Sequence, residues 1–379
     1  MKVLVAGDFS QKNRIDAVVR NRDYGLLFDD IRNIVASADY SLVNFEFPIV
    51  LKEKSPVPIK KNGPNLKGTV EAIDAVQYAG FKCCTLANNH ILDQGEQCCI
   101  DTKNQLEGCG VDTVGAGVNL EEAGRPLYKS INGETIAIIN CCEHEFSIAT
   151  ENSAGANPLN PIKQYYSIID ARNNADYVLI VVHGGPEHFQ LPTPRMQEMY
   201  RFFIDSGADA VVNGHQHCFS GFELYNGKPI VYGLGNLCFD NPSKICEPWN
   251  RGYMVMLSFS EAESKIEKLY PYSQCDEKLG VHLLSEQQTF RENIEHLNSV
   301  IASKSLLSKE VEDYYHSVTE SFLSDYEPYG NNRIANKLYR CHLLPSFFSQ
   351  KRLLNLLNHI ECESHLEKQI YGFKSLINR

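Results

Sequence analysis

A short apolar run that breaks off into histidine, aspartate, glutamate or asparagine recurs along the first 220 residues, and this rhythm constrains the fold more than any other feature. Residues 2–6 (KVLVA) lead to Asp8; residues 41–49 (SLVNFEFPI) carry Asn44 and Glu46, with Pro48 forbidding further pairing. Residues 81–87 (FKCCTLA) empty into Asn88, Asn89 and His90, with Asp93 and Gly95 behind. Residues 135–140 precede Glu143, His144 and Glu145, and residues 177–182 precede His183, Gly184 and Gly185, with Glu187 and His188 following. The apolar residues 210–212 stop in a glycine-broken turn bearing His215 and His217. Residues 229–236, 251–260 and 265–272 read as further strands. Helical spacing fills the intervals before residue 38 and over 69–79, whereas residues 51–68, rich in Lys, Pro and Gly, read as an exposed loop. Strands interleaved with helices predict an α/β protein, and polar groups just beyond strand ends are where such sheets bind ligands.

A chain of 379 residues, 43% of them apolar, has the material for one large domain and a smaller one. The formal charge of -11 argues against nucleic acid as a partner, since phosphate backbones call for a basic face. The 13 cysteines are odd in number, irregularly spaced and without a CxxC pair, which predicts a reducing, cytoplasmic setting instead of a disulfide framework. The apolar run at residues 3–6 is too short for a secretory leader, and no uninterrupted run approaches a bilayer span.

Composition changes near residue 281: between Gly280 and Gly330 there is no glycine, and the apolar spacing turns helical. This predicts a catalytic-type domain over 1–280 and a helical region over 281–379. Residues 281–330 hold three Lys/Arg against nine Asp/Glu, and residues 331–379 hold eight against three. Helices of such complementary charge pack on the main domain or on each other. The basic, amphipathic stretch 343–360 (LLPSFFSQKRLLNLLNHI) suggests in addition a docking helix for a synthase or a membrane surface.

Gathered together, Asp8, Glu46, Asn89, His90, His183, His215 and His217 make a set of carboxylate, amide and imidazole groups. That mixture suits Mn, Fe or Zn better than an all-oxygen calcium site or an all-thiolate zinc site. In extended or turn geometry, His215 and His217 can reach toward neighbouring ions in place of sharing one.

The motifs GD (7–8), NFE (44–46), ANNHILDQG (87–95), HGGPE (183–187), NGHQH (213–217) and YGLGNLCFD (232–240) occur in one order over residues 1–272. In this the chain resembles the CapA-type proteins, named for capsule and poly-γ-glutamate synthesis, within the calcineurin-like metallophosphoesterase superfamily. The resemblance implies a four-layer α/β/β/α sandwich with two divalent metal ions at one end. By position, Asp8 and His217 would bind one ion, Asn89, His183 and His215 the other, and Glu46 would lie between them. His90 matches the superfamily's non-ligand histidine, which protonates the leaving group, and Asp93 would orient it. The usual Asp-x-His of the first strand is here Asp8-Phe9-Ser10, so the first ion lacks one imidazole.

The resemblance thus implies a metal-dependent hydrolase of phosphoester or amide bonds, acting on an anionic surface polymer or its precursor. The alternative is a non-catalytic assembly subunit of a polymer-synthesis machinery, which the missing first-strand histidine favours. The expected place is the cytoplasm, at or near the membrane surface. Glu143, His144, Glu145, Glu187 and His188 can reach the same rim or belong to ordinary loops, and Asn236 and Asp240 are expected to hold a turn beside the metals.

Overall fold

The structure is a computed structural model; it describes residues 1–245, 248–330 and 332–377. In chain order the first strands are β1 (Lys2–Ser10), β2 (Tyr40–Phe45), β3 (Cys83–Thr85), β4 (Asp112–Val114), β5 (Ala116–Gly117), β6 (Leu127–Ile131), β7 (Glu134–Cys142) and β8 (Gly155–Ala156). They are followed by β9 (Tyr177–His183), β10 (Ala210–Gly214), β11 (Phe222–Tyr225), β12 (Lys228–Val231), β13 (Asn236–Phe239), β14 (Arg251–Phe259), β15 (Ser264–Gln274) and β16 (Val281–Leu283). One sheet has the order β16-β15-β14-β1-β2-β3-β4, with β13 beside the end of β1; the other runs β11-β12-β10-β9-β7-β6.

The two sheets stack face to face, with β15 opposite β12, β1 opposite β10 and β4 opposite β7. Strand β1 explains why both faces must be covered: after Lys2 every residue is buried. Alternation sends Leu4 and Ala6 to one side, where they meet Ile15, Val18, Val35 and Val76 of the outer helices, and Val3 and Val5 to the other. On the second sheet, helix Pro161–Asn174 covers β7 and β9 and helix Pro194–Asp205 covers β10 and β12. The expected four-layer α/β/β/α sandwich is therefore the observed fold. Strands β1, β2 and β3 are parallel, as are β7, β9 and β10, so each set delivers its carboxyl ends to one rim.

Two sequence expectations need correction. Residues 229–236 form two strands in place of one: β12 pairs β10 in the second sheet and β13 pairs β1 in the first. Gly235, at φ +77°, turns the chain between them, so an apolar run read as continuous crosses from sheet to sheet at the rim. The loop 51–68 is exposed along most of its length, but Lys61 and Leu66 turn inward.

The chain divides into two compact units, Met1–Ser308 and Lys309–Arg379. The helical composition that starts at residue 281 is shared between them. Helix Gln288–Ala302 belongs to the first because it buries Phe290, Ile294, Leu297, Val300 and Ile301. The Phe290 ring lies 5.4 Å from Phe219 and 5.7 Å from Tyr253, and Asn298 Oδ1 accepts the Phe222 N–H at 2.7 Å. In the second unit, the stretch 343–360 is helical only from Gln350, because the Glu327 carboxylate takes the Ser346 hydroxyl at 2.5 Å and the Phe347 N–H at 3.1 Å. Helices Gln350–Glu361 and Glu363–Ile377 lie against each other and contain no buried residue. Among the described residues, no helix is long and apolar enough to cross a membrane.

Candidate metal centre

The site begins with a bulge in β1. Pairing of β1 with β2 shifts register between Ala6 and Asp8, so Gly7 is skipped and Asp8 pairs Asn44 with its side-chain direction reset. Only glycine fits there: a Cβ on residue 7 would lie 1.8 Å from Gly235 O. Glu46 follows directly on β2, its N–H bound to Phe9 O at 3.0 Å. Across the rim, the turn after β10 is tied down by its own amides. Asn213 Nδ2 donates to Gly184 O (2.9 Å) and Tyr232 O (3.0 Å), and Gln216 Nε2 donates to Phe189 O (2.9 Å). That scaffolding holds His215 at φ +85° and His217 at φ +54°, a region non-glycine residues rarely adopt.

Among the described residues, ligand atoms of Asp8, Glu46 and His183 lie within 4.8 Å of one another, all buried. The other predicted ligands adjoin them. His183 Nε2 is 3.1 Å from both Asn89 Oδ1 and His215 Nδ1. His217 stands between the carboxylates, with Nδ1 3.6 Å from Asp8 Oδ2 and Nε2 3.7 Å from Glu46 Oε1. Ser10 stands where the first-strand histidine is missing, and the rings nearest Asp8 come from the other sheet: His183 Nδ1 is 3.8 Å from Asp8 Oδ1.

The cluster has more acceptors than donors. Asn44, at the centre, turns one NH2 group toward Asp8 Oδ1 (2.7 Å) and Glu46 Oε2 (3.2 Å) and stands 3.2 Å from His183 Nδ1; with the His215 N–H on Asp8 Oδ2 (3.3 Å), these donors are fewer than the oxygens of the two carboxylates. Glu46 Oε1 is buried with no hydrogen bond. Asn236 Oδ1 lies 2.8 Å from His217 Nδ1, an arrangement that fixes the ring and leaves Nε2 its lone pair, as outer partners of metal-bound histidines do. Burial pushes Asp8 up to about 6, and burial with the neighbouring Asp8 pushes Glu46 well above the carboxylate range. Burial likewise drives His183 and His217 well below the usual imidazole value. Carboxylates that resist ionising and imidazoles that resist protonation, all facing one space, fit divalent cations.

His90 sits beside this cluster, close enough to depress His183 and His217 further. Its Nδ1 is 2.6 Å from Asp93 Oδ2, the orienting contact expected from sequence. Of the weaker candidates, Glu143 holds the loop after β9: burial pushes its carboxyl up, but the Gly185 N–H (2.9 Å) and Arg195 outweigh that and hold it below the ordinary range. His144 and Glu145 are exposed. Glu187 and His188 are also exposed, and the His188 ring lies 5.5 Å from Trp249 and 6.2 Å from His217. Asn236 does stand at the site, whereas Asp240 is engaged by Arg14 at 2.7 Å. Two residues of the site lie outside the predicted set: Asn44, which the sequence marks only as a strand-end neighbour of Glu46 at the same-face spacing, and Lys61, which nothing local signals.

The family model described as "Bacterial capsule synthesis protein PGA_cap" matches residues 2–241, which contain every one of these rim residues. The chain belongs to that family. Within it, the chain is 30% identical over 246 residues to the capsule biosynthesis protein CapA of Bacillus anthracis, covering 63% of this chain and 60% of that protein. It is also 30% identical over 237 residues to the PGA biosynthesis protein CapA of Bacillus subtilis, covering 62% of each. The match therefore spans about three fifths of those relatives' length. Among solved structures, the calcineurin-like phosphoesterase YfkN of Bacillus subtilis is 11% identical and superposes with a TM-score of 0.39, covering 79% of this chain and 98% of that one.

Proposed function

We propose that this PGA_cap-family chain is a metal-dependent hydrolase that cleaves a phosphoester or amide bond in an anionic surface polymer or its precursor. The observation that carries the reading is the buried cluster of Asp8, Glu46 and His183, whose acceptors outnumber the donors offered by Asn44. Asp8 and His217 would hold one divalent ion, Asn89, His183 and His215 the other, and Glu46 would serve both; Mn, Fe and Zn suit these donors. Bound ions would supply an activated water and absorb negative charge on the reacting group. The protein's own residues do the rest. Asn44 and Asn236 fix the first ring and carboxylate positions, burial keeps the ligands unprotonated imidazoles, and His90, oriented by Asp93, takes a proton at Nε2 and passes it to the leaving atom.

Elemental analysis of the purified protein beside Asp8→Ala and His215→Ala tests the centre. About two transition-metal ions per chain, each variant losing mainly one, is the result expected. No metal after incubation with manganese would remove the reading and leave a non-catalytic assembly subunit, the reading favoured by Ser10 in place of a first-strand histidine. His90→Ala separates the two when metal is bound: lost turnover with unchanged metal content supports catalysis. The exposed apolar and basic helices after residue 331 suit a synthase or membrane surface as partner, and flotation with anionic liposomes of the full chain against a chain ending at Ser308 tests that.

A further inference from the structure

Lys61 lies in a loop that reads as solvent-exposed, yet its side chain is 1% exposed. A buried ammonium costs several kcal/mol unless it is paired with good geometry. Its Nζ lies over the Phe146 ring, 5.0 Å from the centroid, and pairs with Asp93 Oδ1 while standing 3.1 Å from His90 Nδ1. The other Asp93 oxygen, Oδ2, accepts the Leu66 N–H at 2.5 Å and meets His90 Nδ1 at 2.6 Å. Two lone pairs cannot face each other at that separation, so a proton lies between them. With Asp93 ionised against Lys61, that proton belongs to Nδ1. The ammonium therefore serves the carboxylate and not the ring.

Further bonds hold the loop to Asp93, to its neighbour Gln94 and to itself. Ile59 N–H donates to Asp93 O (3.2 Å), Asn65 Nδ2 to Ile59 O (3.0 Å), and Gln94 Nε2 to Leu66 O (2.9 Å). Asp93 is 0% exposed, so water cannot replace Lys61 on Oδ1. Oδ1 takes no hydrogen bond beside this ion pair, so without Lys61 only the Leu66 N–H and the ring hold the buried carboxylate, and its hold on the Nδ1 proton weakens.

We propose that Lys61 is a positioning residue: by locking the Asp93 carboxylate, it holds His90 in the tautomer with the proton on Nδ1 and the lone pair on Nε2. The proposal rests on the reading of His90 as the group that handles the proton beside the metal centre. It gives the loop 51–68 a part in the site that its composition conceals.

The test is nitrogen-15 NMR of labelled histidine in the full-length, chelator-treated protein, comparing wild type, Lys61→Met and Lys61→Arg, with His90→Gln to assign the His90 signals. The wild type should show a protonated Nδ1 and an unprotonated Nε2. Lys61→Met should lose that pattern, giving averaged or reversed nitrogens, and Lys61→Arg should keep it, while the His183 and His217 signals stay unchanged in both. A wild-type ring protonated on Nε2, or a Lys61→Met protein with the wild-type His90 pattern, overturns the proposal. If Lys61→Met does not fold, Lys61→Gln takes its place, and an unaltered pattern there overturns it equally. The spectra need neither metal nor substrate, so they stand apart from the hydrolase reading. A switched tautomer in a protein that hydrolyses nothing keeps the role of Lys61 and removes the catalysis. If catalysis holds, turnover in Lys61→Met falls at unchanged metal content, by up to the roughly 10²–10⁴-fold that a positioned acid or base contributes.

Discussion

Gly7→Ala probes the joint on which the site depends. The new Cβ would lie 1.8 Å from Gly235 O, where real Cβ atoms come no nearer than 3.0 Å, so the two backbones must part by about 1.2 Å. Gly235 cannot retreat freely: its own far side is hemmed by Arg251 O, 2.8 Å from where a Cβ would sit. Backbone pressed against backbone belongs at the upper end of overpacking costs, about 3 kcal/mol. For a unit of this size that is a fall in melting temperature of about 5 °C. The displaced segment runs into Asn236, whose Oδ1 holds His217 Nδ1 at 2.8 Å, and the bulge it leans on aims Asp8. Manganese affinity, read by calorimetry at a temperature where the variant is folded, should therefore fall along with the melting point. Gly108→Ala is the control, because nothing lies within 4 Å of its Cβ and it ends a helix. A Gly7→Ala protein that melts within about 1 °C of wild type and binds manganese equally well would refute the account of how Asp8 and His217 are placed.

Arg14→Met should cost about 3 kcal/mol in chemical denaturation, because it removes the charge partner of the fully buried Asp240 carboxylate and leaves it the Arg14 backbone N–H at 2.9 Å; a loss under 1 kcal/mol would show that pair to be dispensable. Phe290→Ala should cost about 3–5 kcal/mol by opening the contact with Phe219 and Tyr253, and an unchanged melting point would mean the helix does not belong to the sandwich. The folded Asp8 carboxyl sits at about 6, above its value of 3.8 outside the fold. The metal-free folded state thus binds more protons between those values, and its stability is present at low pH and lost as pH rises through about 6. Asp8→Asn in chelator should accordingly be more stable than wild type at neutral pH by about 2–3 kcal/mol, the difference closing near pH 4; no difference at neutral pH would contradict the burial argument.

The rim was legible in the sequence because it is written in local signals. A buried strand must be apolar and must end, so the first polar residues after it stand at the sheet edge wherever the sheet lies. Asp8, Glu46, Asn89, His183, His215 and His217 could be picked out in this way, and the structure brings them together. Residues 229–236 misled because apolar character says that a strand is buried but not in which sheet, and only the Gly235 turn decides the crossing. The exposed reading of 51–68 followed from composition, which averages over a loop and misses the one lysine that turns in.

What the chain alone determines is therefore the alternation, the strand ends and the residue types gathered there, since each depends on neighbours a few positions away. What only the tertiary structure decides is which of those groups share a space. Asn44 becomes the hub because Asp8, Glu46 and His183 converge on it from three segments, and no spacing rule links residue 44 to residue 183. Lys61 becomes part of the site because Asp93 has one carboxylate oxygen to spare in a place water cannot reach. Those outcomes come from packing two sheets against each other, where burial turns a surplus of acceptors into a demand for cations.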